Sequence, residues 1–532
     1  EPVRGRWGDS TESPQGSVPV HRDGLAAVFQ TRTTSPERSH REPVNRTATA
    51  LFAAVLGVAI SLRLFVGFSY PNILWPDEIF QTLEQAHRLA FGYGIVPWEF
   101  RAGTRSWLLP GVLAGIMRIA GELGTGSGPY LAAVTIAFCT LSLLPVAVAL
   151  LWGHRVGGTT TALVTGVLAA VWFELAYFAP KALFEAVACH LLLPALYFAH
   201  FHDQKRGRLV LSGLLLGASL ALRIQLAPAV LCALVLVCRA DIKGKWLPLA
   251  GSAAAAFSFG GLLDMVTWSY PFQSAWYGFA LNIIEGKSLL WGTHPWYYYP
   301  VTAARVWSWA GVPLFALLLL GARNCRLLLL VALVVWITHS MVAHKEYRFV
   351  YPALPMLLIV AGCGLGALIQ RLERVVAWQG LRRTALAAVV LACCLTSLWL
   401  ALRFDNTRTG VNLLTEGPSH WHYFRAPLRF FQALSRDEAA CGLGLRHLHW
   451  ALTGGYAHLH RDIPLYDVAS ARKLQQLSHG FNYLLVGGVN SPRIEGYARL
   501  RCLDTYCLYK RPGSCAPRPG YHLNRLLVER GE

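Results

Sequence analysis

Apolar runs at 49–68, 129–151, 159–179, 182–201, 209–224, 226–238, 246–263, 304–321, 327–343, 350–370 and 384–402 constrain this chain more than any other feature of its sequence. A helix needs about 20 apolar residues to cross the roughly 30 Å hydrocarbon core of a bilayer. Inside that core every backbone polar group must be bonded within the segment, so such runs read as helices. The pair between 209 and 238 is short and interrupted by Arg223, Gln225 and Pro228. It reads as two tilted helices or as a re-entrant hairpin, and either returns the chain to its starting side. The run 107–121 contains Arg118 and is too short to cross, which suits an interfacial or half-inserted helix.

Composition agrees with a lipid-facing surface. Hydrophobic residues make up 54% of the chain and charged residues only 14%, with a mean hydropathy of +0.39. A soluble domain normally carries about 25% charged residues. The net charge of +19 invites a nucleic-acid reading, but its distribution argues against one. Basic residues fall in short clusters between the runs: Lys205, Arg206 and Arg208; Arg239, Lys243 and Lys245; Arg323 and Arg326; Arg371, Arg374, Arg382 and Arg383. That is the positive-inside signature of cytoplasmic loops. Eleven crossings with a cytoplasmic N-terminus put every one of those clusters inside. The loops 69–106, 180–185, 264–303 and 344–349, and everything from 403 on, then fall outside.

Three segments follow from this division: a polar, disordered cytoplasmic tail at 1–48, a helical membrane domain at 49–402, and a small α/β domain at 403–532. The tail shows no cleavable signal, so the run 49–68 is expected to act as an uncleaved anchor. In the last segment, 481–488 and 505–509 read as strands and 424–435 as a helix. Cys441, Cys502, Cys507 and Cys515 lie there, an even set that permits two disulfides in an oxidising compartment. Spacing alone leaves their pairing open.

The outer loops hold the residues suited to chemistry. The first contains the adjacent acids Asp77 and Glu78, then Trp98, Glu99 and Arg105. A carboxylate held near the interface can act as general base toward a hydroxyl; alternatively Asp77 caps a helix starting at Glu78 in a solvated loop. The segment 344–349 packs His344, Lys345 and Arg348 into five residues on the side that the charge bias leaves poor in cations. Such a cluster suits a phosphate, against the alternative of snorkelling side chains at a helix end. The long loop 264–303 carries His294, Trp296 and Tyr297–Tyr299, which read either as an aromatic belt or as sugar and lipid contacts. Arg223 lies in an apolar stretch, where a charge is costly and therefore a functional candidate; Glu185 is a weaker one. No metal-ligand constellation, Walker A motif or dinucleotide fingerprint appears, so no cofactor is expected.

Pro76-Asp77-Glu78-x-Phe-Gln with Glu84, Pro97-Trp98-Glu99-Phe, Arg105-Ser-Trp, Gly292-Thr-His-Pro-Trp and His344-Lys-Glu-x-Arg-Phe occur in order along the chain. Together they resemble the GT-C type mannosyltransferases of N-glycan and GPI-anchor assembly, glycosyltransferase family 22. Two places depart from that pattern: Pro180-Lys-Ala-Leu-Phe-Glu185 stands where the GPI enzymes carry an Arg-Thr-Leu-Thr-Asn-type stretch, and Tyr347 where the family often has an acid.

The resemblance implies an inverting transfer of mannose from a polyprenyl-phosphate mannose to a glycolipid at the outer face, without a nucleotide sugar on that side. It makes Asp77 the base and Glu78 its electrostatic neighbour or an acceptor-orienting group. His344, Lys345 and Arg348 become the clamp on the donor phosphate, with Arg105, Trp98, Glu99, His294, Trp296 and Arg223 as substrate contacts. The implied partners are the donor, the glycolipid acceptor and membrane lipids, with no nucleic acid. The membrane would be the endoplasmic reticulum in a eukaryote and the inner membrane in a bacterium. A bacterial enzyme with another acceptor is an alternative. A secondary transporter is another, and it would concentrate ionisable groups at the bilayer midplane in repeated halves.

Overall fold

The computed structural model describes residues 46–203, 205–375, 379–410, 419–488 and 493–531. The polar tail expected at 1–48 therefore lies outside the described residues up to position 45. From Arg46 on, helices dominate. Among the described residues, Arg46–Ser69, Gly128–Val171, Ile242–Thr267, Tyr298–Gly321, Ala353–Leu372 and Arg383–Leu402 are each long and apolar enough to cross a membrane. Phe184–His200, Ile224–Cys238 and Arg326–Met341 are shorter apolar helices. The chain is an α-helical polytopic membrane protein.

The 44 residues of Gly128–Val171 would extend about 66 Å at 1.5 Å per residue, roughly twice the hydrocarbon thickness. They do not run straight. Gly157 and Gly158 leave the helical region, Gly158 at φ +67°, and the chain doubles back there. A Cβ on Gly153 would lie 2.8 Å from Ala162 Cα, and one on Gly166 would lie 2.2 Å from Leu150 Cδ2. Two runs joined at 152–158, as read from the sequence, thus form a tight helical hairpin.

Arg223 divides Arg206–Leu222 from Ala227–Cys238, its backbone extended at φ −146°, ψ 88°. Of the two readings for 209–238, the structure takes two helices with different neighbours. Arg206–Leu222 packs on Leu247–Thr267 and Phe184–His200, whereas Ala227–Cys238 packs on Arg326–Met341. Gly213 and Gly217 form a small-xxx-small face against Leu247–Thr267, where a Cβ would lie 2.2 Å from Leu249 O or 2.1 Å from Ala253 O.

Leu108–Gly121 has 14 residues, about 21 Å and too short to cross unaided. It lies against Glu84–Phe91 and Gly128–Leu141. The helix expected from 304 starts earlier, at Tyr298. Pro300 is tolerated there because the first turn of a helix has no internal partners for its N–H groups. At the opposite end of the bundle Asp203 takes Arg155 at 3.0 Å and Arg208 at 2.5 Å, joining two of the loops read as inner.

The C-terminal part carries a five-stranded sheet: β1 Leu443–Arg446, β2 Leu465–Asp467, β3 Tyr483–Gly487, β4 Ala498–Leu503 and β5 Tyr506–Lys510, in the order β2-β1-β3-β5-β4. β1 runs parallel to β2 and β3, with Leu443 opposite Leu465 and Tyr483, and β5 runs antiparallel to β3 and β4. The wholly buried β3 is a continuous apolar run, as a strand covered on both faces requires. The edge strand β4 is exposed and carries Arg499 and Arg501, charges that discourage edge pairing. Helix Arg425–Leu434 precedes the sheet. Disulfides Cys441–Cys515 and Cys502–Cys507 supply the pairing that spacing left open.

Candidate active site

Loops far apart in sequence converge at one end of the helical domain, opposite the Asp203 cluster. The first leaves helix Arg46–Ser69 and turns at Trp75-Pro76 into one π-helical turn, Glu78–Leu83, continuing as Glu84–Phe91. π-helical turns recur at functional sites. Asp77 has helical φ/ψ, and its side chain makes no capping bond, so the capping alternative fails. Its carboxylate is 23% exposed and points into the site.

Adjacent residues on a helix diverge by about 100°, and Glu78 turns the other way. Lys181 Nζ lies 3.0 Å from Glu78 Oε2, and Leu74 N–H donates to Glu78 Oε1 at 3.1 Å. Lys181 also donates to Asn72 O at 2.5 Å and to Asn72 Oδ1 at 2.8 Å. Burial pushes the Glu78 carboxyl up and the Lys181 ammonium down, while their mutual contact pulls both back. Glu78 thus pins the turn from beneath, and its carboxylate is spent on Lys181 and the Leu74 amide.

Asp77 is held from two directions. Gln81, one turn further on, donates through Nε2 to Asp77 Oδ1 and to Glu99 Oε1, the latter at 3.0 Å. Arg105 Nε donates to Gln81 Oε1 at 2.9 Å, and Trp268 Nε1 bonds Arg105 O at 3.1 Å. Every hydrogen-bonding group of the Gln81 amide is occupied. Gln81 closes the Pro76-Asp77-Glu78-x-Phe-Gln motif, which by itself assigns it no role. Its i+4 spacing from Asp77 on one helix face was the available signal.

On the other side Arg348 Nη2 contacts Asp77 Oδ2 across 271 positions of sequence. Arg348 is 6% exposed and lies on the short helical turn Tyr347–Val350. Its Nε donates to Glu346 Oε2 at 2.6 Å, and its Nη1 lies 3.4 Å from Glu185 Oε1. Trp75 and Phe349 flank the guanidinium at 5.9 and 5.0 Å. Burial lowers its pKa to about 9, which leaves it cationic at neutral pH. Arg223 Nη2 reaches the same Glu185 Oε1 at 2.9 Å, so the intramembrane arginine joins this network too.

The three expected cations do not share one direction. His344 Nε2 meets Glu346 Oε1 at 3.2 Å, and its Nδ1 meets Gly292 O at 2.9 Å. Burial lowers the His344 pKa, but these two bonds outweigh it and leave the imidazole above its ordinary value. Lys345 instead donates to His294 O at 2.8 Å and to Val342 O. Its ammonium fastens the 344–349 segment to the long loop, and burial lowers its pKa. His294 also donates its N–H to Ala343 O at 3.0 Å and stacks on Tyr298 at 4.3 Å. Burial, then His344 and Lys345, push the His294 imidazole down. Trp98 is buried beneath Lys287 Nζ, 3.7 Å from its ring, whereas Trp296 is 72% exposed at the rim.

Tyr347, where the sequence pattern led one to expect an acid, donates its hydroxyl to the buried Glu174 Oε1; Trp172 and Trp307 reach Oε2 at 2.7 and 2.9 Å. The C-terminal part supports the first loop from behind. Glu84 Oε1 accepts Ile95 N–H at 2.7 Å and Tyr456 N–H at 3.0 Å, and Oε2 accepts Ala457 N–H at 2.8 Å. Burial pushes the Glu84 carboxyl up to about 7, although these three donors pull it down. Glu84 belongs to the first motif without a role, and Glu174 carries no sequence signal, because their partners come from distant segments. Among the described residues no cluster of three or more metal-ligating side chains forms.

A family model described as the Alg9-like mannosyltransferase family matches residues 54–415. The chain is similar to a GPI mannosyltransferase 3 of Yarrowia lipolytica, 26% identical over 426 residues covering 77% of this chain and 76% of the relative. It is also similar to the GPI alpha-1,2-mannosyltransferase 3 of Homo sapiens, 26% identical over 317 residues covering 58% of this chain and 56% of the relative. Among solved structures, ArnT from Cupriavidus metallidurans bound to undecaprenyl phosphate superposes with a TM-score of 0.52 at 13% identity, covering 88% of this chain and 99% of that one. The fold is thus that of a GT-C membrane glycosyltransferase with a small sheet at its C-terminal end.

Proposed function

This chain belongs to the Alg9-like mannosyltransferase family, and from that premise we propose that it carries mannose from polyprenyl-phosphate mannose to a glycolipid acceptor of the GPI-precursor kind, with inversion. It is a membrane mannosyltransferase. The acceptor reading is supported by the GPI mannosyltransferases it resembles, and a polyprenyl carrier by the undecaprenyl phosphate bound to its structural neighbour. The active site lies on the non-cytoplasmic face, in the endoplasmic reticulum membrane of a eukaryotic host or the inner membrane of a bacterium. The inner basic clusters support that orientation.

One observation carries the mechanism: Asp77 and Arg348, from loops 271 residues apart, meet in a single network. Asp77 takes the proton of the acceptor hydroxyl. The oxygen then forms the new bond to the anomeric carbon as the carbon–oxygen bond to phosphate breaks. The electron pair leaves with the polyprenyl phosphate, whose growing charge falls on Arg348, supported by His344 through Glu346. Cations on the phosphate before the bond breaks stabilise that charge without further reorganisation. Lys345 acts by holding the segment, and Arg223 by neutralising Glu185. Glu99 and Arg105, wired to Asp77 through Gln81, are placed to meet sugar hydroxyls, with Trp98, His294 and Trp296 as further contacts.

Membranes supplied with labelled polyprenyl-phosphate mannose and candidate glycolipids test the proposal. Asp77→Asn should lower transfer by about 10²- to 10⁴-fold, the usual worth of a general base, with the protein still folded. Normal transfer by that variant overturns the assignment.

A further inference from the structure

We infer that Arg348 serves two partners in turn, holding Asp77 in the empty protein and passing to the donor phosphate when it binds, with Glu185 as the positioning residue that keeps its guanidinium fixed through the exchange. The inference rests on the reaction proposed above and adds an order of binding to it.

The charges around Arg348 motivate the exchange. Three carboxylates, Asp77, Glu346 and Glu185, meet two guanidiniums, Arg348 and Arg223, while His344 lies on Glu346. Lys345 is turned onto backbone carbonyls. Each of the three guanidinium nitrogens of Arg348 already faces a carboxylate, so a phosphate finds no open position on it. Like charges at contact distance are strongly opposed where water is scarce. The phosphate must therefore displace a carboxylate from Arg348.

Geometry selects which carboxylate yields. Glu185 is only 2% exposed in its side chain, lies behind the guanidinium, and is shared with Arg223 at 2.9 Å; moving it would strand a buried arginine. Glu346 is held by His344 as well as by Arg348 Nε. Asp77, as open as Glu346 at 23% against 25% of the side chain, has a neutral second anchor, Gln81, on its other oxygen. When a phosphate oxygen takes the place of Asp77 Oδ2 at Nη2, Asp77 keeps Oδ1 on Gln81 and presents a free Oδ2. That is the atom an acceptor hydroxyl needs. The planar guanidinium can make this exchange without translating because Glu346 accepts from its Nε at 2.6 Å and the charge of Glu185 faces its Nη1 at 3.4 Å.

Donor binding thus exposes the base, and the acceptor binds productively second. Glu185 lies in the Pro180–Glu185 stretch, outside the motifs that carry the family resemblance, so this task falls to a residue that resemblance leaves unassigned.

The test measures binding of a fluorescent mannosylated glycosylphosphatidylinositol to the full-length protein in nanodiscs, with and without farnesyl phosphate. In the wild type, farnesyl phosphate should tighten binding of the glycolipid by about tenfold or more. Glu185→Gln should abolish that coupling and raise the donor KM by about tenfold, with a smaller fall in kcat. Glu185→Asp should restore part of both. Arg348→Lys, which keeps charge but loses the fork, provides a second variant should Glu185→Gln fold poorly, and it should also lose the coupling. Equal glycolipid affinity with and without farnesyl phosphate in the wild type overturns the exchange. So does a Glu185→Gln protein with unchanged donor KM. If the exchange fails while Asp77→Asn is inactive, the reaction stands without it; if Asp77→Asn remains active, the reaction itself falls.

Discussion

Replacing Lys181 with Met isolates what Glu78 does. The ammonium lies 3.0 Å from Glu78 Oε2 and bonds both oxygens of Asn72, and the two charged side chains are each 5% exposed. An exposed pair contributes about 0–1 kcal/mol. Removing one partner of a buried pair costs about 3–5 kcal/mol, because the other charge is left without a counter-ion. Asn72 loses a donor as well, although Tyr177 O–H still reaches its Oδ1 at 2.8 Å. Lys181→Met should therefore lower stability by about 3–5 kcal/mol, which is about two to three and a half orders of magnitude in the folding equilibrium. Adding Glu78→Gln should return a large part of that loss, since it removes the stranded charge. Unfolding in detergent, followed by tryptophan fluorescence across the four proteins of the cycle, measures the coupling. A Lys181→Met loss below about 1 kcal/mol, with no recovery in the double variant, would refute the buried-anchor reasoning. It would also return Glu78 to the role its place beside Asp77 suggested, a tuner of the base.

Gln81→Leu should lower kcat by about 10²-fold with a smaller effect on donor KM, since misplacing a reacting group by about 1 Å costs that much; steady-state kinetics with both substrates decide it. Burial raises Glu84 to about 7 against an ordinary 4.5, so its contribution to stability is complete below about pH 4.5 and is lost as pH rises through about 7. Thermal melts from pH 5 to 8 should show that decline, and Glu84→Gln should flatten it. Loop entropy ranks the two disulfides: opening the 74-residue Cys441–Cys515 loop should cost about 4 kcal/mol and the five-residue Cys502–Cys507 loop about 2 kcal/mol. Proteolysis of the C-terminal part in Cys→Ala pairs would reverse that ranking if other forces govern.

The helical architecture was legible because lipid leaves a chain few choices. A segment that crosses must be apolar and must bond its own backbone, so its bounds show in composition. The gap at 152–158 between two apolar runs marked the hairpin, and Arg223 with Pro228 marked the break between two short helices. The strands at 483–487 and 506–510 were equally plain, as dense apolar runs closed by turn residues. Which side chains meet was legible only in part. That Asp77 belongs with 344–349 followed from topology and resemblance, but the direct contact with Arg348 depends on how the bundle closes. That Glu78 points away from Asp77 follows from helix geometry once a helix starts at Asp77, and reading the pair as neighbours in a loop concealed it. Lys345 illustrates a different limit. A cation beside two others reads as part of a charge cluster, yet a long side chain next to unsatisfied carbonyls of a neighbouring loop bonds those first, because an unpaired buried carbonyl is costly.

The sheet domain raises a question about how the base is held. The family match ends at 415, before β1, yet residues beyond that point complete the setting of the first loop. Tyr423 O accepts Ile73 N–H at 3.0 Å, two amides at Tyr456 and Ala457 receive Glu84, and His460 meets His87 at 2.9 Å. Gly455, at φ +56°, lets that backbone approach; a Cβ there would lie 2.4 Å from Glu84 Oε2. The Glu84 and His87 contacts fall on the far half of the helix that begins at Asp77, while Tyr423 on Ile73, with Lys181 and Asn72, fixes its near end. A helix gripped at both ends cannot rotate its first turn freely, and a rotation of that turn would carry Asp77 off Arg348 and Gln81. If Asp77 is the base as proposed, this part of the chain holds it in place through backbone groups and the His460 imidazole, without supplying an atom to the reaction.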